Sequence, residues 1–90
     1  MERVIISVIG MDKIGITAKV TTALAECNVN ILDINQTILQ DFFTMVTLCD
    51  ISKANLPFAE FQERMTKIGE DLEMEIRVQK EEIFTYMHRI

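Results

Sequence analysis

Along the chain the apolar positions change period from one segment to the next. Arg3 to Ile9 (RVIISVI) is β-branched and nearly continuous, as in a strand buried on both faces. Gly10 to Gly15 then breaks the pattern with a two-glycine loop. From there Ile16, Val20, Ala23, Leu24 and Cys27 recur on one helical face, with Thr17, Lys19, Thr22 and Glu26 on the other. Asn28 stands where a helix C-cap is expected. Val29 to Leu39 and Phe42 to Cys49 read as two more strands, and the two residues Gln40-Asp41 suit a hairpin by length though not by composition.

Asp50 to Pro57 (DISKANLP) is loop chemistry, and Pro57 is tolerated in the first turn of a helix. Phe58, Phe61, Met65, Ile68 and Leu72 follow in 3-4-3-4 spacing, a second amphipathic helix with Gly69 near its expected stop. Met74, Ile76 and Val78 alternate with Glu73, Glu75, Arg77 and Gln79, giving a strand with one wet face. The tail places Ile83, Phe84, Met87 and Ile90 on one helical stripe, its glutamates first and His88 and Arg89 last, in accord with the helix dipole.

The order predicts an α+β fold, a ferredoxin-like βαββαβ sandwich with an antiparallel sheet ordered 4-1-3-2 and two helices on one face. A single domain over residues 1–90 is expected, its core ending near residue 80 and a short C-terminal helix running from about 81 to 89. The central strands are apolar on both faces. Ile5 and Ile9 oppose Val4, Ile6 and Val8, and Val46 and Leu48 oppose Phe43, Met45 and Cys49. The helix-free face would be a sizeable exposed patch, so a second subunit, the tail helix or both should cover it.

Composition narrows the function. Nine Lys and Arg against fourteen Asp and Glu give a net charge of −5, which argues against a partner that must be held by its phosphates. The apolar run from Val4 to Ile9 is too short for a signal-peptide core or a membrane span, so the expectation is a cytoplasmic protein without a membrane partner. Cys27 and Cys49 are isolated, with no CxxC spacing, and read as reduced core thiols.

No catalytic constellation is evident. The single histidine, His88, lies near the chain end and reads as a solvated or capping residue. No metal-ligand spacing appears, although Asp12 and Asp33 could meet across neighbouring segments to hold a cation. An RNA-recognition domain of the same fold needs exposed aromatics on its central strands, and the first strand has none. An acylphosphatase needs an arginine in the loop after that strand, and Gly10 to Gly15 offers only Lys13.

What remains is Asp12-Lys13-Ile14-Gly15-Ile16 entering the first helix and Asn28-Val29-Asn30-Ile31 entering the second strand. A glycine at a helix start bares backbone N–H groups toward an anion such as a carboxylate. Asp12 or Asn30 could hold an ammonium or amide, which together would clamp an α-amino acid. A purely structural account is equally physical: Asp12 caps the helix, Gly15 allows close packing and Asn30 ends a turn.

These stretches resemble the ACT domain, a regulatory module that senses amino acids and similar small ligands. The resemblance rests on the first strand with its DKIGI loop, the VNILDI entry to the second strand and the hydrophobic third strand, and it runs through essentially the whole chain. It looks closest to stand-alone single-domain ACT proteins of uncharacterised function, and more distantly to ACT regulators of the glycine-cleavage system. The resemblance implies a ligand held between two subunits, by this loop and the start of strand 2, in a homodimer. It carries Gly15 onto the family's loop glycine and Asn30 onto the strand-2 asparagine. Asp12 falls where serine-sensing members often carry an amide; an acid there suits an ammonium and repels a carboxylate. The expected ligand-binding residues are therefore Asp12, Gly15, Ile16, Asn30 and Ile31, with no catalytic residue, metal or cofactor. Regulation would act on a separate, unidentified protein; the alternative is a ligand-free interaction or dimerisation module.

Overall fold

Six elements follow the expected order: β1 (Arg3–Met11), α1 (Ile16–Glu26), β2 (Asn30–Leu39), β3 (Phe42–Asp50), α2 (Phe58–Leu72) and β4 (Glu75–Lys80). The computed structural model describes residues 1–82, and the expectations placed on Ile83, Phe84, Met87, His88 and Ile90 lie outside them. The strands form one antiparallel sheet in the order β2-β3-β1-β4, the predicted 4-1-3-2 read from the other edge. This is the ferredoxin-like sandwich.

The helix-facing side of the sheet carries Val4, Ile6 and Val8 from β1, Phe43, Met45 and Cys49 from β3, and Ile76 and Val78 from β4, all buried. Against them pack Ile16, Val20, Ala23 and Leu24 of α1 and Phe61, Met65, Gly69 and Leu72 of α2. The 3.6-residue spacing read in the sequence is thus the core stripe of both helices. Cys27 and Cys49 are both free and buried. Burial pushes the Cys49 thiol up to about 12, so it stays protonated and unreactive.

β1 runs two residues further than its apolar pattern, with Gly10 and Met11 pairing with Phe43 and Phe42. A strand glycine is unfavourable in itself. Here the Met74 Sδ occupies the place a side chain would take, 2.5 Å from a Cβ built on Gly10.

Both helices end in the same device. Asn28 adopts φ 59° and Glu73 φ 57°. After α1, the Val29 N–H donates to the Leu24 carbonyl at 3.0 Å and the Asn28 N–H to the Ala25 carbonyl at 3.0 Å; after α2, Met74 donates to Gly69 at 2.8 Å and Glu73 to Glu70 at 3.2 Å. These paired bonds satisfy the last carbonyls of each helix with a left-handed residue beyond it. Gly69 therefore does not stop α2 through its own backbone freedom. It lies inside the helix, buried, where the chain returns against Met74 and Ile76.

The Thr47 hydroxyl is fully buried on β3 and has no hydrogen-bond partner among the described residues. An unsatisfied buried hydroxyl costs about 1–3 kcal/mol, whereas an apolar group of the same shape costs nothing comparable. Thr47→Val is expected to raise stability by about 1 kcal/mol, a gain of roughly 5 °C in Tm for a domain of this size. A lower melting temperature by calorimetry would show that the hydroxyl has a partner.

Candidate functional site

The loop from Asp12 to Gly15 is shaped by its last residue. Gly15 holds φ 88° and precedes α1 with no side-chain cap, while its carbonyl accepts the Lys19 N–H at 3.0 Å. A Cβ added at Gly15 would meet open space, so the glycine serves the left-handed turn and not close packing. Asp12 does not cap the helix either, and the first turn of α1 holds no acidic residue. The loop is anchored elsewhere: the Asp12 N–H donates to the Asp41 carbonyl at 2.7 Å, tying it to the hairpin turn between β2 and β3. The Asp12 and Lys13 side chains are exposed, and Ile14 is fully exposed at the tip. Ile16 is buried under the helix start, where it seats the loop on the core. The uncapped N–H groups at the start of α1 thus open beside a carboxylate and an apolar tip.

The second predicted cluster lies at the opposite end of the sheet. Asn30 pairs with Asp50, which pairs with Arg3, whereas Leu39, Phe42 and Met11 share the far level. Nine residues of strand separate the two levels, about 30 Å at roughly 3.3 Å per residue. Within one chain, then, Asn30 and Ile31 cannot reach Asp12, Gly15 or Ile16. The proposed Asp12–Asp33 meeting also fails. Asp33 pairs with Leu48, at the level of Ile5, and lies roughly 20 Å along the sheet from Asp12.

Around Asn30 the structure forms an open pocket of about 390 Å³, lined by Ala25, Asn28, Val29, Asn30, Asp50 and Lys53. Two of its charged residues, Asp50 and Lys53, were not among the candidates. Their signal was present in the DISK turn, read only as loop chemistry. The Asp50 Oδ1 accepts the Ser52 N–H at 3.0 Å and the Glu2 N–H at 3.2 Å. The Ser52 backbone, then its side chain, hold the Asp50 carboxyl below its ordinary range, with Glu2 adding less. The Asn28 amide donates to the Lys53 carbonyl at 2.7 Å, fixing the turn that carries the lysine. The pocket thus offers a fixed carboxylate, an ammonium on a pinned turn and the Asn30 amide. Ile31 is half-buried and packs onto the core, outside the residues that line this pocket.

β2 itself forms one edge of the sheet. It is ten residues long, NILDINQTIL, and exposes Leu32, Ile34, Ile38 and Leu39 with a single charge at Asp33. The other edge, β4, is six residues long with Glu75, Arg77 and Lys80 along it. Short charged edges resist strand addition, whereas long apolar ones without lysine or proline accept it.

Among the described residues no group of His, Cys, Asp and Glu is placed to hold a metal ion, and no helix is long and apolar enough to cross a membrane. Comparison with known proteins places these features in a family. A UPF0237 protein of Methanocaldococcus jannaschii is 51% identical over 90 residues, all of both chains. The solved structure of an ACT domain protein from Streptococcus pneumoniae superposes with a TM-score of 0.81 at 36% identity, covering 92% of this chain and 93% of that one. The regulatory subunit of aspartate kinase from Thermus thermophilus aligns at 26% identity with a TM-score of 0.64, over 86% of this chain and 49% of that one. The family model for the ACT domain, a regulatory ligand-binding module, matches residues 2–79, from just before β1 into β4, and the chain belongs to the ACT-domain family.

Proposed function

We propose that this chain is a homodimeric sensor of an α-amino acid, built by antiparallel pairing of two β2 edges and acting through a separate partner protein. The observation that carries this reading is the separation of the two candidate clusters along an unpaired edge strand. In an antiparallel β2–β2 pair, Asn30 of one copy lies beside Leu39 of the other. Leu39 adjoins the Gln40-Asp41 turn, to which Asp12 is hydrogen-bonded. Three strand spacings, about 14 Å, then separate one copy's Asn30 from the other's Asp12 loop, which continues β1 behind β2 and β3. Clusters about 30 Å apart in one chain would face each other across the dimer axis, twice.

The chemistry of such a composite site suits a zwitterion. The ligand ammonium would meet Asp12, and its carboxylate the bare N–H groups of α1 and the Lys53 ammonium. Lys53 balances the acid at position 12, and the Asn30 amide serves either group. Ile14, exposed in the single chain, would close the site over the ligand side chain. Two free buried thiols and the lack of a spanning helix among the described residues support a cytoplasmic setting.

A thermal-shift screen against the amino acids tests the proposal. A ligand at a hundred times its Kd stabilises by about 2.7 kcal/mol, roughly 10–20 °C in Tm at this size. The shift should vanish in Asn30→Ala with the unliganded Tm unchanged. The helix-free face of the sheet favours a second reading, a ligand-free interaction module, and a flat screen would select it.

A further inference from the structure

Two groups that favour an anion stand at opposite ends of the composite site, one in each copy. The bare N–H groups at the start of α1 lie with the Asp12 loop of one chain. Lys53 lies in the pocket of the other, with Asn30 beside it. Three strand spacings, about 14 Å, separate the two ends in the edge-paired dimer. The ligand ammonium falls to Asp12.

The pocket end has polar groups to spare. Lys53 makes no ion pair among the described residues, whereas Arg3, Lys67 and Arg77 each face a glutamate. Its turn is held to the end of α1 by two asparagines. The Asn28 amide donates to the Lys53 carbonyl at 2.7 Å. The Asn55 amide donates to the Glu26 carbonyl at 2.9 Å, and the Asn55 N–H to the Cys27 carbonyl at 3.0 Å. Binding there has little backbone left to order. The Asn30 amide has no hydrogen-bond partner among the described residues. Asp50, the acid of the pocket, is already engaged. Its Oδ1 accepts the Ser52 N–H at 3.0 Å and the Glu2 N–H at 3.2 Å, and these donors offset its charge toward an incoming anion. At about 390 Å³ the cavity lies within the roughly 300–1,000 Å³ of small-molecule sites.

On the edge-paired sensor reading above, we infer that the ligand is a dicarboxylic α-amino acid, such as glutamate or aspartate, whose side-chain carboxylate meets Lys53 and Asn30. A ligand with one carboxylate has to share it between holders in two chains. A ligand with two gives its α-carboxylate to the α1 N–H groups and its side-chain carboxylate to the partner's Lys53. Charge-assisted hydrogen bonds of roughly 3 Å at the two ends leave about 8 Å of the separation, which the ligand and the protein side chains fill together. Lys53 also sets the discrimination. It repels a cationic side chain, and an isosteric amide keeps a hydrogen bond to it but loses the charge, about tenfold in affinity.

Isothermal titration of the intact chain tests this, with the neutral sodium salts of L-glutamate and L-aspartate, with L-glutamine and L-asparagine, and with every other amino acid that shifts Tm in the screen. Wild type is compared with Lys53→Gln. Lys53 is exposed, so the substitution leaves the core untouched, and circular dichroism confirms the fold. The expected result is an acid bound about tenfold more tightly than its own amide. In Lys53→Gln the acid should fall to the level of the amide, with the amide unchanged. Binding of another class of amino acid, with acid and amide equal and Lys53→Gln without effect, would overturn the proposal and leave the sensor reading standing. An acid preference that survives Lys53→Gln would overturn it as well. If no amino acid binds at all, the sensor reading falls and takes the dicarboxylic ligand with it.

Discussion

Gly69→Ala is expected to lower the melting temperature by about 10 °C, although alanine is the better helix former. In a solvent-exposed helix interior the substitution would gain about 1 kcal/mol. At position 69 the new Cβ would lie 2.7 Å from the Met74 carbonyl oxygen and 3.1 Å from Ile76 Cγ1. The first contact is with backbone, and the backbone is pinned. Met74 donates to the Gly69 carbonyl at 2.8 Å, so the turn cannot open without breaking the helix cap. Overpacking of a fixed core site costs about 3 kcal/mol. The clash therefore outweighs the propensity by about 2 kcal/mol, which is roughly 10 °C for a domain of this length. Gly10→Ala makes the contrast, because its closest neighbour is the Met74 Sδ, a flexible side-chain atom that can turn away. Its loss should be about half as large. Calorimetry on both variants decides it, and a Gly69→Ala protein as stable as wild type would contradict the close approach of α2 to β4.

The helices and strands were legible because their apolar spacing is the core itself. Ile16, Val20 and Leu24, or Phe61 and Met65, are apolar for the same reason that they are buried. Boundaries were less legible where partner strands decide them. β1 continues through Gly10 and Met11 because Phe42 and Phe43 pair with them, a long-range fact that no local pattern carries. Gly69 looked like a helix stop because glycine often is one, yet the left-handed position fell to Glu73 and the glycine to a close contact. At Gly15 the reverse held: packing was one reading, and the backbone angle is the reason.

The candidate site was legible only in halves. The DKIGI loop and the Asn30 entry could be read as chemistry from their residues. That the two stand at opposite ends of the sheet follows from strand pairing alone. Lys53 and Asp50 escaped notice because turn residues look alike in sequence, and only the fold shows which of them border a pocket. The long, almost uncharged β2 was visible as a strand, but its place at the edge depended on topology.

The second large effect follows from the proposal that the site is divided between two chains. Asp12→Ala and Asn30→Ala should each abolish the amino-acid-dependent rise in Tm when tested alone, since every site in either homodimer lacks one essential group. Mixed in equal amounts after reversible unfolding, half of the dimers would pair one variant with the other. Each such heterodimer has one site with both substitutions and one with neither, because Asp12 and Asn30 of a site come from different copies. About a quarter of the wild-type sites should therefore return. Isothermal titration of the mixture with the amino acid found in the screen measures this directly. The account predicts binding at wild-type affinity with about a quarter of the wild-type stoichiometry. A mixture as silent as its two components, from variants that fold and exchange subunits, would contradict a site built across two β2 edges.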